Sequence, residues 1–201
     1  MFKKAVFIII LLFVNESTKA QEEVNPETKK AIYGFNFGIN RTSLDYESKN
    51  SIKENREVGF RLGILAEYKL SSNLFFSPKA ELSFNQNSLE INESAEYDVM
   101  PISTEIMAHF AYKFSGSELR PYILFGPNFK IPFGGEEETI SEFKTSPDLA
   151  LDFGIGFESN FKYFFFAPEL RYSYGLMDIN KNPLLNAVYL HNLTLVLNFK
   201  G

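Results

Sequence analysis

The sequence predicts an all-β fold, an eight-stranded antiparallel up-and-down transmembrane β-barrel. Three observations carry this reading. Eight segments alternate with a period of two. One face of every segment lacks Asp, Glu, Lys and Arg, while the opposite faces together hold twelve of them. The connections alternate between long and short, as they do in outer-membrane barrels with an even strand count.

The segments follow in order. Residues 33–40 set Tyr33, Phe35, Phe37 and Ile39 against Gly34, Asn36, Gly38 and Asn40. Residues 58–70 set Phe60, Leu62 and Ile64 against Arg61, Gly63 and Glu67. Residues 76–85 place Phe76, Leu82 and Phe84 opposite Lys79, Glu81 and Ser83, and 102–114 place Ile106, Phe110 and Tyr112 opposite Glu105, Met107 and His109. The apolar faces continue with Ile123, Phe125 and Phe129 in 122–131, and with Leu151, Phe153 and Ile155 in 149–158. They end with Leu170, Tyr172 and Tyr174 in 164–176, and with Leu193, Leu195 and Phe199 in 189–199. Long connections fall at 41–57, 86–101, 132–148 and 177–188, and short ones at 71–75, 115–121 and 159–163. Both termini then lie at the short-turn, periplasmic end, and four long loops face outward.

Composition narrows the class. The 201 residues suit one domain, and 45% hydrophobic against 22% charged excludes a disordered chain. The absence of Cys excludes disulfide scaffolds and thiol catalysis. A formal charge of −5 argues against a nucleic-acid partner. Phe is unusually abundant, at 22 residues.

Residues 1–20 read as a secretory signal peptide. Lys3 and Lys4 precede ten unbroken apolar residues, 5–14, and Thr18-Lys19-Ala20 places small residues at a cut before Gln21. Ten residues of helix span only about 15 Å, half of a bilayer core. Residues 21–31 form a short periplasmic segment, and 32–201 the barrel. Removing 1–20 leaves 17 basic and 24 acidic residues, net −7.

A soluble lipid-binding barrel also alternates, with its apolar face inward. The charge-free apolar faces favour lipid outside. The other faces are rich in glycine, which suits a crowded lumen. Their charges are six basic (Arg61, Lys69, Lys79, Lys113, Lys130, Arg171) and six acidic (Glu67, Glu81, Glu105, Asp152, Glu158, Glu169). Buried charges must pair. The candidate site is therefore a lumen charge network of Arg61, Glu67, Lys79, Glu81, Glu105, Asp152, Glu169 and Arg171, with Arg61, Lys79 and Arg171 near Glu81, Glu105 and Glu169. Such a network plugs the barrel. The alternatives are a small transport barrel for a narrow solute and a soluble periplasmic lipid-binding barrel. Pro78, Pro127 and Pro168 fall mid-strand on the lipid face, where bulges or local ladder breaks are expected.

Three stretches, Arg120-Pro121-Tyr122-Ile123-Leu124-Phe125-Gly126-Pro127, Asp152-Phe153-Gly154-Ile155-Gly156-Phe157-Glu158 and Glu169-Leu170-Arg171-Tyr172-Ser173-Tyr174-Gly175-Leu176, resemble the PorT-like small outer-membrane β-barrel family of Gram-negative Bacteroidota. Met100-Pro101-Ile102 matches that family's apolar-Pro-apolar step into its fourth strand. The resemblance implies an outer-membrane location and covers essentially the whole mature chain. Its motifs are architectural and carry no catalytic content.

No catalytic, cofactor or metal residues are expected. His109 faces the lumen, with Glu105 or Lys113 as its expected partner. His191 lacks a nearby Ser to activate. Glu136-Glu137-Glu138 reads as a solvated loop rather than a calcium site. The expected partners are outer-membrane lipid, and proteins met through the long loops or periplasmic turns.

Overall fold

The computed structural model describes residues 30–46, 52–91, 95–115, 119–133, 142–143, 145–181 and 187–201. Among these residues twelve strands follow in chain order: β1 Ala31–Tyr46, β2 Ile52–Arg56, β3 Val58–Lys69, β4 Leu74–Phe84, β5 Asn87–Ile91, β6 Ala95–Val99, β7 Ile102–Lys113, β8 Leu119–Pro132, β9 Glu142–Phe143, β10 Asp148–Asn160, β11 Phe165–Gly175 and β12 Val188–Lys200. Eight of them close into an antiparallel barrel in the order β1-β12-β11-β10-β8-β7-β4-β3. The first and last strands seal it along thirteen pairs, from Gly34 with Lys200 to Tyr46 with Val188.

The faces are inverted relative to a soluble barrel. Phe35 and Ile155 are 57% and 60% exposed on the outside, whereas Arg61 and Glu105 are 1% and 0% exposed inside. In water this arrangement would leave a belt of apolar side chains solvated and charges desolvated, and lipid reverses the first cost. Stacked rings reinforce the outer wall. Phe199 on β12 lies 5.3 Å from Phe35 and 5.6 Å from Phe37, both on β1, so aromatic contacts run along the closing seam.

The three prolines open the ladders on one side only. β3–β4 pairs Leu65 with Lys79 and resumes at Tyr68 with Phe76, skipping Pro78. β7–β8 skips Pro127 between the Met107–Asn128 and Phe110–Phe125 pairs. β10–β11 skips Pro168 between Gly156–Glu169 and Ser159–Phe166. Register is unchanged across each gap, so these are breaks and not bulges. Each proline still pairs on its other flank, with Ala108, Leu151 and Leu197 respectively. A missing N–H affects only the neighbour toward which it would have pointed.

The long connections are more ordered than plain loops. They contribute β2, β5, β6 and β9, which form a second four-stranded sheet. β1 also continues to Tyr46, well past residue 40. Under this sheet lies an apolar core of Leu44, Leu89, Val99, Met100, Ile179, Val188 and Leu190, flanked by Tyr46 and Tyr97. The sheet and its core cap the barrel mouth. Met100 turns the chain from β6 into β7 with φ of 50°, a costly conformation for a non-glycine residue. The Asn85 side-chain amide donates to the Met100 carbonyl at 3.0 Å and holds that turn.

Candidate functional site

The lumen is the candidate site, and its inward side chains stack in levels from the short-turn end to the cap. Nearest the short turns, the Lys113 and Lys200 ammonium groups both bridge Glu67 and Glu158. The Phe75 ring lies over this level, 4.3 Å from Lys113 Nζ, with the Arg120 guanidinium 5.7 Å from the same ring.

One level up, Lys79 Nζ donates to both carboxylate oxygens of Glu169 at 2.9 Å, and the Tyr122 hydroxyl donates to Glu169 at 3.0 Å. Gly156 makes room for that ring. A Cβ there would stand 2.5 Å from Tyr122 Cζ.

The widest cluster follows. Arg61 Nη1 reaches Glu81 at 3.1 Å and Glu105 at 3.3 Å. Arg171 Nη2 donates to Glu81 at 2.6 Å, and the same guanidinium lies 3.6 Å from Glu169 and 3.8 Å from Asp152. Neutral donors complete the carboxylates. Asn36 donates to Glu81 at 3.0 Å, and Asn128 to Glu105 at 2.8 Å. Gly63 is needed here as well, because a Cβ would lie 2.6 Å from Glu81 Cγ.

Toward the cap, Lys130 Nζ lies 3.4 Å from Asp148. Asn85 Oδ1 then accepts from Asn40 at 2.6 Å and from Ser83 at 3.0 Å. The polar column ends at Met100.

Seven of the eight sequence-derived network residues meet in one connected cluster: Arg61, Lys79, Glu81, Glu105, Asp152, Glu169 and Arg171. Glu67 belongs instead to the cluster nearer the short turns. Three details differ from the sequence reading. Lys69 has lumen parity but is exposed at the short-turn end, where β3 ends. Lys200 and Asp148 are buried lumen charges that the sequence boundaries left one residue outside their strands. With them the buried lumen set among the described residues is six basic and seven acidic residues plus His109.

The third difference concerns His109. Its Nε2 pairs with Asp152 Oδ2 at 3.0 Å, not with Glu105 or Lys113. Residues four apart on a strand lie about 13 Å apart, beyond hydrogen-bond reach, whereas Asp152 reaches in from β10, the next strand but one around the wall.

His191 sits on the outer wall, stacked on Tyr174 at 4.7 Å, and its Nδ1 accepts from the Gly175 amide at 3.2 Å. It closes the end of the β11 ladder. Among the described residues no His, Cys, Asp and Glu group has metal-site geometry. Residues 136–138 lie outside the described residues.

The lumen therefore combines oppositely charged groups, most within hydrogen-bond distance of a partner, with packed rings. This arrangement can hold the wall rigid, with the pairs offsetting part of the cost of desolvating the charges.

Comparison with known proteins agrees with this architecture. Fourteen solved chains match the structure. Neisserial surface protein A is similar at 16% identity with a TM-score of 0.55, covering 86% of this chain and 100% of that one. The outer membrane protein AlkL, determined in lipid bilayers, is similar at 14% identity with a TM-score of 0.52, covering 90% and 95%. At such identities the likeness is one of fold. No curated protein sequence matches the chain. A family model described as the outer membrane protein beta-barrel domain matches residues 19–181. The chain belongs to that family, and its eight-stranded barrel is an outer-membrane one.

Proposed function

We propose that this protein is a non-enzymatic outer-membrane barrel with a plugged lumen, whose task is structural or interactive and is carried by its capped, long-connection end facing outward. The observation that supports this most is the filled lumen. Buried ion pairs and the Phe75, Met107 and Tyr122 side chains occupy it from the short turns to the cap. An eight-stranded barrel has an interior just wide enough for side chains to fill. A network of both signs also leaves no single-sign ring to select ions.

In this reading residues 1–20 direct export, 21–31 lie in the periplasm, and partners meet the cap or the short turns. The narrower kinship with PorT-like barrels rests on the motifs around Pro127, Gly154 and Arg171. The test is conductance. Purified protein in planar bilayers should show no steady current. Stable, well-resolved channels from the unmodified protein would replace this reading with a transport barrel for a narrow solute.

A further inference from the structure

Between the two lower charge levels the lumen retains a cavity of about 20 Å³, counted as room for the centre of a water-sized sphere. By that measure one water needs roughly 10–15 Å³. His109, Asn198, Lys79, Lys200 and Ala111 are among the residues that line it.

Two polar atoms of these residues have no partner among the described residues. They are His109 Nδ1 and Asn198 Oδ1, on side chains of residues that are 0% and 3% exposed. Asn198 already donates its amide to the Ala167 carbonyl at 2.8 Å, which fixes its oxygen as the free end. His109 meets the Asp152 carboxylate through Nε2, so Nε2 carries a proton and Nδ1 of a neutral ring is an acceptor. The wall thus presents two acceptors in need of donors.

It also presents spare donors. Lys79 directs two hydrogen bonds to Glu169, and Lys200 one each to Glu67 and Glu158. An ammonium has three protons, so each lysine has one left. An occupant that donates to His109 or Asn198 and accepts from Lys79 or Lys200 would complete these groups.

We infer that this cavity is a site for one ordered water, which joins the Lys113–Lys200 cluster to the Arg61–Arg171 cluster through His109. Water donates twice and accepts twice. A halide would satisfy the ammonium groups but would face two acceptors. The site concerns this cavity alone, so it stands or falls independently of the conductance test.

The test is a high-resolution crystal structure of the purified, folded barrel grown in sodium bromide. A single peak without anomalous signal, within hydrogen-bond distance of His109 Nδ1 or Asn198 Oδ1, is expected. A bromide anomalous peak in the cavity, or no peak at all, overturns the inference. A second measurement uses Ala111→Val, which fills the space with methyl groups. Displacing a bound water strands two buried acceptors, so the thermal midpoint should fall by about 3–10 °C. In a dry cavity no acceptor is stranded, and an unchanged or raised midpoint overturns the inference.

Discussion

Glu81 on β4 and Arg171 on β11 meet at 2.6 Å across the full width of the lumen. Two residues earlier on the same strands, Lys79 and Glu169 meet at 2.9 Å with the charges exchanged. β4 and β11 stand opposite each other in the ring and run in the same direction, so equal steps along each keep the partners level. The two crossed pairs tie the barrel diametrically, a direction that the ladders around its circumference do not restrain.

Arg171→Met should therefore destabilise the fold without opening a pore. The change leaves Glu81 with Arg61 as its remaining cationic partner within 4 Å, and removes the guanidinium beside Asp152 and Glu169. Breaking a buried pair by removing one partner costs about 3–5 kcal/mol. Equilibrium unfolding in urea from lipid vesicles measures this. A loss under about 1 kcal/mol would mean that the crossed pairs do not restrain the wall.

Outer-wall substitutions should cost energy according to depth. Ile64→Arg and Ile155→Arg fall near the middle of β3 and β10 on the exposed face. Each should lose about 2–4 kcal/mol, while Leu70→Arg, beyond the end of β3, should lose about 0–1 kcal/mol. The same unfolding assay in lipid compares them. Equal costs at all three positions would remove the membrane belt from this wall.

The eight wall strands and their faces were legible in the sequence because lipid outside and packed charge inside impose opposite demands on alternate residues. The reading stopped where those demands change. Beyond Asn40, β1 keeps its period but reverses its polarity. Arg41 and Asp45 turn outward to water while Leu44 turns inward to the cap core. A pattern that reverses sign reads as an ending, although the strand continues. Lys200 and Asp148 were missed for a smaller reason, since each is one residue past an assigned boundary. The cap sheet left little trace. β2 is Ile-Lys-Glu-Asn-Arg, too short and too polar for a period to stand out. Which carboxylate meets which cation was only partly legible. Glu67 and Glu81 lie on the lumen face of adjacent strands, yet the depth of each along its strand places them in different clusters.

The proline gaps predict a gain from substitution. On β4 the Pro78 flank toward β3 lacks two ladder rows, those of Pro78 and Ser77, although register is kept on both sides of them. Pro78→Ala supplies an N–H between ladder rows whose register is unbroken. A restored backbone hydrogen bond contributes about 0.5–1.5 kcal/mol net, so Pro78→Ala should raise the unfolding midpoint in lipid. Pro168→Leu should do the same at the β10–β11 gap. A fall at both sites would show that the proline rings contribute more to the wall than the missing bonds cost.

The cap should unfold without the barrel. Its core is separate from the apolar lumen cluster of Phe75, Ala111, Tyr122, Leu124 and Ala167 and its sheet from the barrel ladders, and it shares with the barrel only Leu44, Val188 and Leu190 at the ends of β1 and β12. Leu89 is fully buried at the centre of the cap core, so Leu89→Ala should cost the cap about 2–5 kcal/mol. Opening the cap by even about 2 kcal/mol raises its open population roughly thirtyfold. Lys53 and Arg56 on β2 then report the change, because trypsin needs the local chain released from its pairing with β5. Limited proteolysis should cut the variant at these residues far faster than the parent. The barrel should keep a faster gel migration until boiled, since a closed ladder leaves no edge for detergent to enter. Unchanged cleavage rates in Leu89→Ala, or loss of the boiling-dependent shift along with faster cleavage, would mean that cap and barrel fold as one unit.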